Sequence, residues 1–140
     1  MIIACGTAER GDDAAGLLAA RRLREAGLEV HEHSRDGLAL MELWSGHEDV
    51  ILIDAVVTGA AAGAVKVWDG RHAPVEPDAF PSTHAFGVAE AIRLAKALGR
   101  MPARMTIYGI EAKRFDTGSG PSAQVLQGVD DVVKMITSRR

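Results

Sequence analysis

The sequence predicts an α/β domain of three layers, in which helices cover both faces of a five-stranded, mostly parallel sheet. Strand-like and helix-like segments alternate along all 140 residues. The segment DVILIDAVV is a continuous β-branched apolar run, which is typical of a central strand covered on both faces. Neither an internal repeat nor a linker interrupts the pattern. We therefore predict a single domain over residues 1–140.

The first half of the chain is predicted to contain three strands and two helices. The first helix is expected to begin at an acidic cap, supplied by Asp12 or Asp13, and to end at Gly27. The second strand alternates apolar and polar residues, which indicates a position nearer an edge of the sheet. In chain order the segments are MIIACG (strand), DDAAGLLAARRLREAG (helix), LEVHEHS (strand), GLALMELWSG (helix) and DVILIDAVV (strand).

The second half of the chain adds two strands and two helices. A loop that contains three of the five prolines separates the fourth strand from the third helix. Both of the helices carry apolar residues at the spacing of one helix face. In chain order the segments are AVKVWDG (strand), RHAPVEPDAFPS (loop), THAFGVAEAIRLAKALG (helix), ARMTIYGIEA (strand) and PSAQVLQGVDDVVKMITSRR (helix).

Composition excludes several classes of protein. The formal net charge is −3 and basic runs are absent, which argues against a nucleic-acid or anionic-membrane surface. Cys5 is the only cysteine, so the chain has neither an intrachain disulfide nor a cysteine-rich metal site. No apolar stretch approaches the length of a membrane span, and the N-terminal run is too short for a signal peptide. We expect a soluble cytoplasmic protein.

Residues 115–120 read FDTGSG, and Asp-Thr-Gly is the catalytic loop of aspartic proteases. Those proteases are all-β and bring two such loops together, so that two carboxylates share a proton. This chain has one copy, between a predicted strand and a predicted helix. We therefore expect FDTGSG to be a glycine-rich connection, with Asp116 a loop residue.

Three side chains are predicted to lie where open α/β sheets bind ligands, outside the carboxyl ends of the strands. Asp13 lies in the first turn of the helix after the first strand, Asp54 closes the third strand, and His84 lies at the start of the third helix. A carboxylate at the end of a central apolar strand is costly unless it is paired or liganded, which singles out Asp54. Two carboxylates and one imidazole are a suitable donor set for a divalent metal ion, with positions left open for water or substrate.

The chain also resembles a known family, the nickel–iron hydrogenase maturation endopeptidases. These small α/β proteins remove a C-terminal extension from the hydrogenase large subunit after nickel insertion. The resemblance covers nearly the whole chain, and its most specific part is the combination of Gly-Asp-Asp, Asp-Ala-Val-x-Thr-Gly and Ser-x-His-x-x-Gly. The segments that carry it, in order, are IACGTAERGDDAAG, ILIDAVVTGAAAG, STHAFG, YGIEA and GSGPS.

The resemblance implies a site and a reaction. Carried over by position, the two metal-binding acids of the family fall on Asp13 and Asp54, and its histidine on His84. The implied partner is the precursor of a nickel–iron hydrogenase large subunit. The implied metal is nickel that arrives with this substrate, or another divalent ion. If the site activates water, the cation lowers the pKa of that water and replaces a serine or cysteine nucleophile.

Several positions depart from the family pattern. Thr7 stands where the family usually has asparagine, and Glu9 where it usually has an apolar residue. The Gly-Ile-x-Pro turn after the fifth strand lacks its proline, which is replaced by Ala112. A Gly-Gly-Thr element associated with substrate choice is reduced to something near RDGLAL. The departures leave the three site residues in place and suggest a branch that serves an unusual hydrogenase.

Two other functions remain open at this level. Asp12, Asp13 and Asp54 also suit the acidic pocket of a receiver domain, a signalling module phosphorylated on the aspartate of its third strand. Against this, Asp12 lies six residues beyond Gly6, whereas receivers place their acid pair directly at the end of the first strand. The second alternative is a catalytically inactive homologue that acts as a binding partner.

Overall fold

The computed structural model describes residues 1–6, 11–33, 37–71, 88–113, 118 and 120–139. A 3-10 helix over Gly11–Ala14 follows the first strand and leads into the first α-helix. No helix among the described residues has the length and apolarity needed to cross a membrane. In chain order the other elements are β1 (Ile2–Cys5), α1 (Ala15–Glu25), β2 (His31–His33), α2 (Gly37–Trp44), β3 (Asp49–Val56), β4 (Val65–Asp69), α3 (Val88–Leu98), β5 (Arg104–Glu111) and α4 (Ala123–Thr137).

The five strands form one sheet in the order β2-β1-β3-β5-β4. Strands β2, β1, β3 and β5 are parallel, and β4 pairs antiparallel with β5 at one edge. The predicted five-stranded, mostly parallel sheet is therefore confirmed, as is the edge position of β2. The sequence pattern did not predict that β4 runs antiparallel.

Helices cover both faces of the sheet and enclose two apolar cores. Helices α1 and α4 pack together on one face, and α2 and α3 pack together on the other. Leu52 and Val56 of β3 belong to the core beneath α2 and α3, whereas Ile53 belongs to the core beneath α1 and α4. Because side chains alternate along a strand, Asp54 lies on the α2–α3 face.

The end of α1 follows the sequence prediction, but its beginning does not. Gly27 adopts a φ of 92°, and the Leu28 N–H donates to the Leu23 carbonyl at 3.0 Å, which closes the helix. At the other end the cap position is Ala14, with no side-chain cap hydrogen bond. The predicted acidic cap is therefore wrong, and Asp12 and Asp13 belong to the preceding 3-10 helix.

Candidate active site

Asp54 lies near the carboxyl end of β3 and is completely buried. Its Oδ1 accepts a hydrogen bond from the backbone N–H of Ala55 at 2.8 Å. Its register partner in β5 is Gly109. A Cβ atom at Gly109 would lie 2.7 Å from the Trp68 ring and 2.8 Å from Val56, so only glycine fits opposite Asp54. The buried carboxylate is thus built into the central pair of strands.

Asp13 reaches the same edge of the sheet from the 3-10 helix, and it is also completely buried. Its carbonyl oxygen would lie 2.6 Å from a Cβ atom at Gly6, the residue after β1. A Cβ atom at Gly16 would lie 2.2 Å from the Cys5 carbonyl oxygen and 3.1 Å from that of Ile53. The start of α1 is therefore seated on the ends of β1 and β3, which brings Asp13 to the edge that carries Asp54.

Asp12 accepts hydrogen bonds from two backbone groups that lie more than 100 residues later in the sequence. Its Oδ2 accepts the backbone N–H of Lys113 at 2.8 Å, and its Oδ1 accepts that of Ser122 at 2.7 Å. The carboxylate is therefore oriented toward the chain between β5 and α4, which explains why it does not cap α1. Ser122 does occupy the cap position of α4, although its hydroxyl makes no cap hydrogen bond.

Glu111 is a further buried acid at the carboxyl edge, and it was not among the site residues predicted from the sequence. It is completely buried at the end of β5. Its Oε2 accepts the backbone N–H of Thr58 at 2.8 Å, and its Oε1 accepts the Thr58 hydroxyl. The signal that singled out Asp54, a carboxylate closing an apolar strand, applies equally to Glu111 in TIYGIEA.

Ala112, where the family pattern leads us to expect a proline, makes a backbone hydrogen bond. The backbone N–H of Ala112 donates to the Val56 carbonyl at 2.9 Å, which extends the contact between β3 and β5 beyond the strands. A proline has no N–H and cannot make this hydrogen bond. Alanine at this position therefore allows a hydrogen bond next to the site that a proline could not make.

The remaining predicted positions, His84, Asp116, Thr7 and Glu9, lie outside the described residues. No group of three potential metal ligands occurs within the part of the chain that the structure describes. Asp13 and Asp54 nevertheless fit a divalent ion by their chemistry, because carboxylate oxygens bind such ions. His84 precedes α3 by four residues in the sequence, and α3 covers the face on which Asp54 lies.

An open α/β sheet with buried acids after its first strand and near the carboxyl end of its third strand is a ligand-binding or catalytic architecture of the α/β class. It is not the all-β architecture of the Asp-Thr-Gly proteases. The chain belongs to the HycI hydrogenase maturation protease family, whose profile matches residues 16–139. The class of activity is therefore that of a protease. The matched range includes Asp54 and His84 and begins three residues after Asp13.

Known proteins agree with this assignment. The chain is 28% identical over 131 residues to protein FrxA of Pyrococcus furiosus. The aligned region covers 91% of this chain and 95% of that protein. It is 29% identical to the [NiFe] hydrogenase maturation protease HybD of Thermococcus kodakarensis, with a TM-score of 0.74 over 98% of this chain and 95% of that one. The hydrogenase maturating endopeptidase HybD of E. coli has a TM-score of 0.78 to this chain at 15% identity. The superposition covers 99% of this chain and 89% of that one. At so low an identity the similarity supports the fold alone.

Proposed function

We propose that the protein is an endopeptidase that removes the C-terminal extension from the precursor of a nickel–iron hydrogenase large subunit after nickel insertion. The observation that carries the proposal is the pair of completely buried carboxylates, Asp13 and Asp54, at the carboxyl edge of the sheet. Asp13 comes from the 3-10 helix after β1 and Asp54 from β3, in a chain that belongs to the maturation protease family. Neither side chain serves as the cap of α1.

In this proposal Asp13, Asp54 and His84 recognise the nickel ion as part of the substrate. The two carboxylates supply negative charge in a site shielded from bulk water, where their attraction to a cation is strongest. A bound cation can polarise the scissile carbonyl and activate water. A cysteine nucleophile does not fit, because Cys5 is completely buried in the core beneath α2 and α3.

The sheet argues against the receiver alternative, in which Asp54 would be phosphorylated. Receiver domains of the flavodoxin type have the strand order 2-1-3-4-5. Here β5 lies between β3 and β4, and β4 is antiparallel. Asp12, which a receiver would need in its acidic pocket, accepts the backbone N–H groups of Lys113 and Ser122.

The decisive experiment follows the size of a large-subunit precursor incubated with the purified protein. We expect cleavage of nickel-loaded precursor, none of nickel-free precursor, and loss of cleavage in Asp54→Ala and His84→Ala. Equal processing of both precursors, or an active Asp54→Ala protein, would contradict metal-directed cleavage. A folded protein that binds the precursor without cleaving it would support the inactive homologue.

A further inference from the structure

Glu111 anchors the connection between β3 and β4 at both of its ends. Its side chain accepts the N–H and the hydroxyl of Thr58, near the start of the connection. Its backbone carbonyl accepts the N–H of Gly63 at 2.8 Å, and its own N–H donates to the Ala64 carbonyl at 2.8 Å. A single residue of β5 therefore fixes both ends of residues 58–64.

The far side of this connection is held by α4. Gly63 adopts a φ of 84°, and a Cβ atom there would lie 2.0 Å from the Gln124 carbonyl oxygen. A Cβ atom at Gly128 would lie 2.6 Å from the Gly63 carbonyl oxygen. The connection is thus packed between Glu111 and the first turns of α4, while Thr58 itself is exposed.

The same connection begins at Val57, three residues after Asp54. The Asp54 carboxylate accepts the N–H of Ala55, so its orientation depends on the path of the main chain at that peptide. That path is fixed by the pairing of Asp54 with Gly109 and of Val56 with Glu111. Just beyond the paired region, the side chain of Glu111 holds the chain at Thr58.

We propose that Glu111 is a positioning residue, which fixes the chain after β3 and thereby the orientation of the Asp54 carboxylate. The proposal rests on the proposed function, because it assigns Glu111 a role at the same site. Both Glu111 oxygens accept hydrogen bonds from Thr58, so the carboxylate orients the chain instead of binding the substrate's metal. When a residue that orients a metal ligand by a direct hydrogen bond is replaced, metal affinity or activity typically falls by about 10–100-fold, and we take that range as the guide for Glu111.

Two matched pairs of variants test this role. In Glu111→Gln the amide oxygen can accept the Thr58 N–H, and the amide N–H₂ can donate to the Thr58 hydroxyl, so both contacts persist. Glu111→Met is similar in size and loses both contacts. Thr58→Ser keeps the hydroxyl and Thr58→Val removes it, at an exposed position where either variant is expected to fold.

Three measurements are made on each variant: processing of nickel-loaded precursor, binding of Ni²⁺ alone by calorimetry, and amide hydrogen exchange at Ala55 and Thr58. We expect Glu111→Met to lower processing by about 10–100-fold and to speed exchange at both amides, with Ni²⁺ binding weakened to a similar extent. In Glu111→Gln, processing, Ni²⁺ binding and amide exchange should all lie closer to the values of the unchanged protein than they do in Glu111→Met. Thr58→Val should fall between, and Thr58→Ser should match the unchanged protein.

The outcomes separate this inference from the proposed function. If the unchanged protein does not process the precursor, the proposed function fails, while exchange at Ala55 still reports on Glu111. Unchanged exchange and unchanged processing in Glu111→Met would overturn the positioning role. Loss of Ni²⁺ binding in Glu111→Gln as complete as in Asp54→Asn would also overturn it, because Glu111 would then be a ligand. If Glu111→Met does not fold, the contrast between Thr58→Val and Thr58→Ser decides: equal exchange at Ala55 in the two would overturn the role.

Discussion

The carboxylate of Asp12 accepts the backbone N–H of Lys113 at 2.8 Å, across 101 residues of the chain. Its second oxygen accepts the N–H of Ser122, so one side chain holds both ends of the segment between β5 and α4. Its neighbour Asp13 instead packs its carbonyl against Gly6, after β1. The two adjacent acids therefore have different structural roles, which an acidic pair in the sequence does not reveal.

Replacing Asp12 should destabilise the protein. In Asp12→Ala the N–H groups of Lys113 and Ser122 lose a buried acceptor, and each unsatisfied group costs about 1–3 kcal/mol. We expect the free energy of unfolding to fall by about 2–6 kcal/mol in total, measured by urea denaturation. This exceeds the loss expected for a helix cap, which is typically about 1 kcal/mol.

Two further variants calibrate that loss. Glu25→Ala removes an exposed acid at the end of α1 and should change stability by less than about 0.5 kcal/mol. Asp12→Asn should lie between the two, because its amide oxygen accepts one N–H while its N–H₂ group faces the other. A loss in Asp12→Ala no larger than in Glu25→Ala would show that the Asp12 contacts contribute nothing.

Divalent metal binding should depend on the acids at one edge of the sheet and not on acids elsewhere. Asp49 and Asp54 both belong to β3, but Asp49 begins the strand and pairs with Arg104 at 3.3 Å. We expect Asp54→Asn and Asp13→Asn to weaken Ni²⁺ binding by at least about 10-fold, and Asp49→Asn to leave it unchanged. Isothermal titration calorimetry on the three folded variants provides the comparison. Binding weakened equally in all three would indicate only a general effect of negative charge.

Much of the fold could be predicted because local sequence patterns indicate its strands and helix ends. The continuous apolar run around Asp54 indicated a central strand, and the structure confirms that β3 lies between β1 and β5. Gly27 marked the end of α1 because a positive φ there is favourable for glycine. Asp54 itself could be singled out because a charge at the end of such a strand is costly.

What the sequence did not predict depends on contacts between distant segments. The direction of β4 depends on its pairing with β5, which local periodicity does not encode. Asp12 was expected to cap a helix because its partners, Lys113 and Ser122, lie more than 100 residues away. Glu111 received no role because its partner Thr58 is 53 residues distant, although its position at a strand end was visible.

Gly16→Ala should destabilise the protein, even though alanine is the better helix former. Alanine favours a helix interior by about 1 kcal/mol over glycine. At Gly16, however, the added Cβ would lie 2.2 Å from the carbonyl oxygen of Cys5, a backbone atom that cannot turn aside. Overpacking of this kind costs about 1–3 kcal/mol, and a contact so short belongs at the upper end.

The same substitution should also weaken metal binding at the candidate site. Helix α1 must move away from the ends of β1 and β3, and Asp13 lies three residues before Gly16. We expect a lower melting temperature and weaker Ni²⁺ binding in Gly16→Ala. Gly120→Ala is the control, because nothing lies within 4 Å of its added Cβ. Equal melting temperatures for the two variants would mean that the close approach at Gly16 is relieved without cost.

Asp116, in the Asp-Thr-Gly segment, should be dispensable for processing. Asp-Thr-Gly chemistry needs a second carboxylate that shares a proton with the first, and this chain has one copy of the motif. We expect Asp116→Asn to process nickel-loaded precursor at nearly the unchanged rate, with stability altered by less than about 0.5 kcal/mol. Asp54→Asn, an identical chemical change at a completely buried acid, should abolish processing. Pepstatin-type inhibitors should leave the size shift of the precursor unaffected. Loss of processing in a folded Asp116→Asn protein would instead place the chemistry in the Asp-Thr-Gly loop and contradict a metal-directed site at Asp13, Asp54 and His84.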